Sequence, residues 1–521
     1  MLLQNIIHFL EVGGGSKLFS RVARIFFGVM GVLLLGFGYN LCGFKNMASQ
    51  EAMDSGQLAR NLAEGRGYKT LFIRPLSIYL LKQENQIKKN LNDPVQAGNL
   101  AEVRSMHPDL ANAPVYPTVL AGLMKVLPFR FPVDITHSFW SRVRTPTQRE
   151  FLRYQPDFLI ALFNQCLFLA LVVLLFFWTR RMFDSGVAWV SSLLLLGSEL
   201  FWRFSVSGLS TMLLLLIFMA LVWCLTVLEK EIREPKWGRA GIWILAGFCG
   251  LIVGVGSLTR YSFGWLIVPA LSFFILFGGR QRALLGLVTF CSFAVVLAPW
   301  VARNYSLCNL PFGTATYALL ENTPAFPEHR LERSLDPDFG QVHLLNLIKT
   351  KLVSNTRTIL QNDLPKLTGT WVSGFFLVGL LVGFKSIAVR RLRYFLISTL
   401  AVLIVVQALG RTALSDDSPD INSENLLVLL APLVVVYGTS LFFLLLEQIA
   451  LPFLQLRYVV VGLFGAVLCL PLLLVFLPPR ATPLAYPPYF PPAIQQISGW
   501  TKPDELMMSD IPWAVAWYGQ A

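Results

Sequence analysis

Charge is scarce in this chain. Only 14% of its 521 residues are charged, where an ordinary soluble domain carries about 25%, and 55% are hydrophobic. That deficit excludes a string of soluble domains, and the mean hydropathy of +0.59 agrees. Cysteine is sparse too. Cys42, Cys166, Cys224, Cys249, Cys291 and Cys469 lie in apolar stretches and only Cys308 in a polar one, so there is no disulfide framework and no CxxC or Cys/His spacing of a zinc site. No HExxH, GxGxxG or nucleophile elbow occurs. Gly13 to Lys17 (GGGSK) lacks the full spacing of a phosphate loop and follows no strand. The first residues have neither the charged start nor the small-residue cleavage site of a signal peptide.

What is present is a series of apolar runs. A membrane helix needs roughly 20 such residues, and on that measure about eleven spans are predicted. They lie near 22–44, 157–178, 186–202, 206–227, 240–258, 262–278, 283–302, 369–385, 394–410, 425–446 and 458–478. The expected fold class is an all-α polytopic membrane protein with large outward-facing loops that contain interfacial helices. The formal charge of +13 is spread over short basic clusters between spans, which the positive-inside rule explains better than nucleic-acid binding does. With the N-terminus in the cytoplasm behind Lys17, Arg21 and Arg24, the clusters Arg180–Arg181, Lys230–Arg239, Arg280–Arg282, Lys385–Arg393 and Arg457 all fall inside, and the C-terminus falls outside.

The outer side is different in kind. It holds a first loop (about 45–156), a second (about 303–368) and an acidic turn (411–424), all parts of a membrane domain of residues 1–478, and a separate tail of residues 479–521. Long loops in a compact protein are commonly functional. No ionisable residue stands near a predicted midplane, where proton relays and coupled transporters need one. Polar groups gather at the outer ends instead: Glu199, Arg203, Arg260, Arg303 and Arg411. The acidic turn with Asp416, Asp417, Asp420 and Glu424 is read as solvated, with a divalent cation as the alternative. In the tail, AIQQISGW reads as a helical turn and ELMMSDIPWAVAWYGQA as strand then helix, the opening of an α/β element. Such an element either docks on the membrane domain or belongs to something longer.

The first loop opens with MASQEAMDSGQLARNLAEGRGY (Met47 to Tyr68). Residues 48–64 are predicted as a helix stopping at Gly65. Glu51 and Asp54 are i and i+3 on it, and Asn61 shares nearly the same face. A carboxylate held at the membrane surface can serve as general base on an acceptor; on spacing alone, a solvated interfacial helix is the plainer reading. Further on, the Pro-punctuated segment from His107 to Phe129 continues as an interfacial helix, with His107 and Asp109 as polar candidates.

Four segments together resemble the GT-C superfamily of membrane glycosyltransferases, in particular bacterial relatives of protein O-mannosyltransferases and lipid A aminoarabinose transferases. They are LARNLAEGRGY (Leu58 to Tyr68), APVYPTVLAGL, SLTRYSFGWLIVPA (Ser257 to Ala270) and APWVARNYSLCNLPFG (Ala298 to Gly313). The resemblance covers most of the first 313 residues. It implies a transferase that uses a polyprenyl-phosphate-linked sugar, with a catalytic acid at the start of the first outer loop; no cofactor is expected, with a divalent cation as the alternative. Many relatives place that acid eight residues before the Ala of the ARN-like segment, which is Glu51 here; Asp54, five before it, matches a subset and is preferred. Glu199 is the candidate for a second acid. Arg303 and Arg260 are expected at the donor phosphate, for which a planar guanidinium is suited, and Asn61, His107 and Tyr261 at the substrate. Where the aminoarabinose enzymes carry an acid–Lys pair this chain has Ala111–Asn112, so their particular chemistry is not carried over. The expected partners are the lipid-linked donor, an acceptor of unknown class and the bilayer. A lipid-linked-sugar transporter or flippase, and a polysaccharide polymerase or ligase, are the rival functions.

Overall fold

The computed structural model describes residues 17–89, 106–145, 148–328, 330–339, 344–384, 386–410, 421, 425–449, 453–478, 489–502 and 505–520. The acidic turn, apart from position 421, lies outside the described residues, as do Arg411 and most of the Pro-rich run before Tyr489.

Helices dominate. The first, α1 (Lys17–Cys42), is followed by a large loop built of α2 (Gln50–Ala63), β1 (Lys69–Thr70), α3 (Pro75–Lys89), β2 (His107–Pro108), α4 (Val115–Val126), β3 (Ser141–Thr145) and β4 (Gln148–Phe151). The membrane bundle continues through α5 (Gln155–Met182), α6 (Ser185–Leu196), α7 (Glu199–Val206), α8 (Thr211–Arg233), α9 (Arg239–Thr259), a tight turn at Tyr261–Leu266, α10 (Ile267–Phe277) and α11 (Arg282–Cys308). Then come α12 (Leu344–Thr358), α13 (Thr370–Gly379), α14 (Ile387–Leu409), α15 (Ala431–Gln448), α16 (Leu454–Val475) and α17 (Pro491–Ser498). The strands form two small antiparallel ribbons, β1 with β2 and β3 with β4.

Among the described residues, seven helices are long and apolar enough to cross a membrane, or up to eight if the bent pair α6–α7 is one span, against the eleven expected. The chain is an integral multi-pass membrane protein. The other expected spans are shorter apolar helices: Phe26–Cys42, Tyr261–Phe277 and Thr370–Gly379. The run 186–202, read as one straight span, is instead broken at Gly197–Ser198 by a 51° bend. The break is stabilised locally, because the Trp202 indole donates to the Leu196 carbonyl at 2.7 Å and so satisfies an acceptor that an unbroken helix would have used.

Close packing in the bundle depends on small residues. In α9, a Cβ on Gly250 would stand 2.0 Å from the Thr289 carbonyl of α11, so the two backbones touch as they do only where no side chain intervenes. Thr289 adds a hydrogen bond to the Ala246 carbonyl at 2.9 Å. The basic turns share one end of the bundle: Arg391, at the start of α14, donates to buried Glu229 at the end of α8 at 2.8 Å, and Trp243 in α9 reaches Gln281 at 3.0 Å. At the opposite end lie the starts of α5 and α8, the ends of α9 and α11, and the whole first loop.

The tail corrects a second expectation. Its described residues contain no strand; residues 505–509 are irregular and the chain ends in a helical turn, Pro512–Ala514, with a wider turn at Val515–Gly519. This segment docks against the first loop. Trp517 and Tyr518 are buried and donate to the two oxygens of Asp157 at 2.9 and 2.7 Å, and Asp157 also accepts the Met47 N–H at 3.1 Å. Two aromatic side chains carry both apolar area and a donor, so a short piece of chain can be held without a sheet of its own. The Trp517 ring lies against Gly56 of α2.

Trp517→Ala is expected to cost about 3–5 kcal/mol, the range for truncating a buried aromatic, and to lower the unfolding temperature in detergent. Trp500→Ala, at a residue 72% exposed in the same tail, should leave it unchanged.

Candidate functional site

The first loop converges on Asp54. Helix α2 begins at Ser49, whose hydroxyl accepts the Ala52 N–H at 3.3 Å as an N-cap. It ends at Ala63 with Gly65 at φ +78°, so the predicted stop is where the chain turns. On its inner face Asn61 donates to the Lys69 carbonyl at 2.7 Å and Gln57 accepts from Thr70 at 2.9 Å. These two bonds seat β1 on the helix. Pairing of β1 with β2 puts Lys69 opposite Pro108 and Thr70 opposite His107, and this brings Asp109 within reach of Arg74.

Arg74 is the node of the site. One terminal nitrogen of its guanidinium donates to Asp54 Oδ2, and the other donates to Asp109 Oδ1 at 3.0 Å. Asn112 Nδ2 reaches both acids, at 2.6 Å to Asp54 Oδ2 and 3.3 Å to Asp109 Oδ2. The Asp109 carboxylate is completed by the N–H groups of Ala111 at 3.2 Å and Asn112 at 2.7 Å. Asp54 and Asp109 are each 1% exposed. Asp54 Oδ1 is buried and has no hydrogen-bond partner among the described residues.

Burial, reinforced by the neighbouring Asp54 charge, pushes the Asp109 carboxyl above its ordinary range, while Arg74 and the Asn112 N–H pull against it. Burial by itself would loosen the Arg74 proton; the Asp54 and Asp109 charges outweigh it and hold the guanidinium above the usual arginine range.

A second layer comes from the bundle. Arg303, near the end of α11, donates from Nη1 to the Asp109 carbonyl at 2.9 Å and to Asn304 Oδ1 at 2.8 Å, and from Nη2 to the Tyr68 carbonyl at 3.4 Å. Its guanidinium lies 4.5 Å from the Trp300 ring centre and 5.3 Å from that of Tyr68, a cation–π sandwich. These three bonds take three of the five N–H donors of the group. Tyr68 and Tyr261 both donate to the Asn112 carbonyl, at 3.2 and 3.1 Å, and Trp300 donates to the Tyr261 hydroxyl at 2.7 Å. Asp54 and Tyr261, far apart in sequence, therefore meet at Asn112, while Arg303 holds the neighbouring Asp109 carbonyl.

The other predicted residues stand elsewhere or serve the scaffold. Asn61 holds β1, and His107 is buried in β2 opposite Thr70. Glu51 is half-buried on the side of α2 that faces the tail, where its charge acts on Tyr489. Arg260 opens the tight turn that delivers Tyr261. Glu199 starts α7 just after the break and acts with Arg203 on Tyr39 of α1, a neighbourhood separate from Arg74. The residues that sequence reasoning missed are Arg74, Asn112 and Tyr68. Arg74 carried a signal: it is the one charge in the run from Thr70 to Leu81, and a charge in apolar surroundings needs a partner. In sequence Asn112 stands out only as a departure from related enzymes.

Behind the site, Gly313 stands at φ +55°, and a Cβ there would lie 2.2 Å from the Leu110 carbonyl, next to Asp109. The Thr314 N–H donates to that same carbonyl at 3.2 Å. Gly313→Val is expected to cost at least about 1–3 kcal/mol for the left-handed backbone alone, seen as a lower unfolding temperature. Gly374→Ala, whose added methyl meets open space, is the control and should lose nothing.

Comparison with known proteins adds a family match over part of the chain and a fold over most of it. Residues 152–302 match the model of the dolichyl-phosphate-mannose-protein mannosyltransferase family. No curated protein matches the chain. Among solved structures, the chain is similar to the oligosaccharyltransferase of Archaeoglobus fulgidus in complex with Zn and sulfate, at 12% identity and a TM-score of 0.51, over 94% of this chain and 61% of that one. It is similar to the same archaeal enzyme, AglB, in complex with an inhibitory peptide and a dolichol-phosphate, at 10% identity and a TM-score of 0.51, over 92% of this chain and 59% of that one. A third form, tethered to an acceptor peptide containing the NVT sequon, matches at 10% identity and a TM-score of 0.51, over 95% and 63%. The chain thus spans about three fifths of the length of the archaeal structures. From 152 to 302 it resembles the mannosyltransferase family, and over most of its length it shares the fold of a membrane oligosaccharyltransferase.

Proposed function

We propose that the chain is a glycosyltransferase that moves a sugar from a polyprenyl-phosphate-linked donor to an acceptor at the outer face of a membrane. The observation that carries this reading is the set formed by Asp54, Arg74, Asp109, Asn112 and Arg303, in a fold shared with an enzyme solved with a dolichol-phosphate and with an acceptor peptide. The topology favoured by the basic clusters puts this set outside, with the N-terminus in the cytoplasm and the C-terminus on the site's side of a bacterial inner membrane.

In this reading Asp54 is the general base. Arg74 and Asn112 hold its Oδ2, so Oδ1 is the oxygen left to accept the acceptor's proton. As that proton moves to Asp54, the freed electron pair of the acceptor attacks the anomeric carbon. The bond from that carbon to the phosphate oxygen breaks, and the electron pair leaves with the polyprenyl phosphate. One displacement inverts the carbon. Negative charge grows on the departing phosphate, and Arg303, whose N–H donors are only partly engaged, is the cation placed to meet it, with Arg260 beside the neighbouring turn.

A transporter or flippase would place buried ionisable groups at a broken span. The break at Gly197–Ser198 is capped internally by Trp202 and adjoins Glu199 at the helix end, away from Arg74. A polymerase or ligase would lean on outer Arg and His rather than on a loop-one acid.

Purified protein supplied with a polyprenyl-phosphate sugar should consume it. Asp54→Asn should lower transfer roughly 10²- to 10⁴-fold, the share a general base contributes, with expression unchanged. Glu51→Gln should retain most activity. Full transfer by Asp54→Asn would sink the assignment. Arg303→Gln should reduce turnover by roughly 10²-fold or more if it meets charge that develops only in the transition state.

A further inference from the structure

We propose that the Arg74 guanidinium is the built-in cation of the Asp54–Asp109 pair: it holds the place a divalent metal would take, so this pair binds no divalent ion, and removing Arg74 converts it into a divalent-cation site. The inference rests on taking these acids as the centre of the site proposed above, but it is measured by binding rather than by transfer.

The acids are arranged as metal ligands would be. Both are 1% exposed, and both accept from a single nitrogen, Asn112 Nδ2, at 2.6 and 3.3 Å. Their oxygens therefore surround one small centre. Hard divalent cations favour that combination of carboxylates with an amide, and the archaeal enzyme of the same fold has been solved with Zn.

The residues of this chain nevertheless do not fit a metal there. The inward oxygens already receive the two arms of Arg74, to Asp54 Oδ2 and to Asp109 Oδ1. Asp109 Oδ2 is further occupied by two backbone N–H groups. Among the described residues, no group of three or more His, Cys, Asp or Glu could hold a metal ion, and Asn112 turns its amide nitrogen, a donor, toward both acids.

Charge points the same way. Asp54, Asp109 and Glu332, which also acts on Arg74, face the guanidiniums of Arg74 and Arg303, a sum of −1. A divalent ion added to that set would turn it net positive and stand against the Arg74 guanidinium in buried surroundings, which is disfavoured. Without Arg74 the set carries two excess negative charges and an open space between two acids. Asn112 can then turn its amide to present oxygen, as its two ends differ only in orientation.

The test uses Mn2+ and the purified protein in detergent, with bound ion measured by electron paramagnetic resonance. Wild type and Asp54→Asn should take up Mn2+ equally, because the pair is closed to it. Arg74→Ala should bind one further ion, tighter by about tenfold or more than any uptake by wild type, the scale on which neighbouring groups change metal affinity. Adding Asp109→Asn to Arg74→Ala should remove that ion. Wild-type uptake that disappears in Asp54→Asn would overturn the inference, and so would a folded Arg74→Ala protein that gains no ion. If Arg74→Ala is not monodisperse, Arg74→Gln takes its place, and the comparison of wild type with Asp54→Asn decides alone if neither variant folds. These outcomes separate the two readings: Mn2+ lost in Asp54→Asn while transfer also fails overturns the built-in cation but keeps Asp54 as base. Equal Mn2+ uptake with full transfer by Asp54→Asn does the reverse.

Discussion

Two carboxylates cannot be buried side by side without a counter-charge, and much of the first loop is arranged to supply one. Arg74 donates to Asp54 with one arm and to Asp109 with the other. Removing one member of such a buried set characteristically costs about 3–5 kcal/mol, because the charge left behind has no solvent to turn to. That penalty explains why the small ribbon of β1 and β2 matters. It is only two residues long on each side, too short to be stable as a sheet, yet it fixes the register that lets Arg74 span both acids. Asn61 and Gln57 hold the ribbon to the helix that carries Asp54.

The same helix is secured from behind by a third acid. Asp157 accepts from Met47, Trp517 and Tyr518, and so joins the entry to α2, the first turn of the membrane helix α5 and the end of the chain. Its place in the first turn of α5 sets a negative charge against the positive end of a helix dipole. Helix α2 is thus clamped between an ion set on one face and an aromatic strap on the other. Residues that look unrelated in sequence, at 47, 157 and 517, act as one support.

The membrane bundle brings side chains to the first loop from its ends. Its ends deliver Tyr261, Trp300 and Arg303 to the face occupied by the first loop, while Glu229 and Arg391 pair at the opposite end. Charges at span ends avoid the cost of the bilayer interior. The broken span α6–α7 follows the same economy of polar groups: the carbonyl freed at Leu196 is met by Trp202 within the break itself.

Composition and local pattern determined a good deal. The scarcity of charge settled a multi-pass membrane protein, since only helices with internally satisfied backbones can fill so many apolar runs. The stop at Gly65 and the positions of Asp54 and Arg303 were legible because local backbone preferences and span ends act over a few residues. The count of spans was not: tertiary packing decides whether an apolar run is one long helix, a short one or a bent pair, as at 186–202. The tail misled for a related reason. ELMMSD reads as a strand by propensity, but strand formation needs a partner, and what residues 505–520 meet is Asp157 and α2. Most of all, tertiary structure decided which acid stands at the centre. Glu51 and Asp54 differ by three residues on one helix, and only the arrival of Arg74 and Asn112 from two later segments distinguishes the one that is caged from the one that faces the tail.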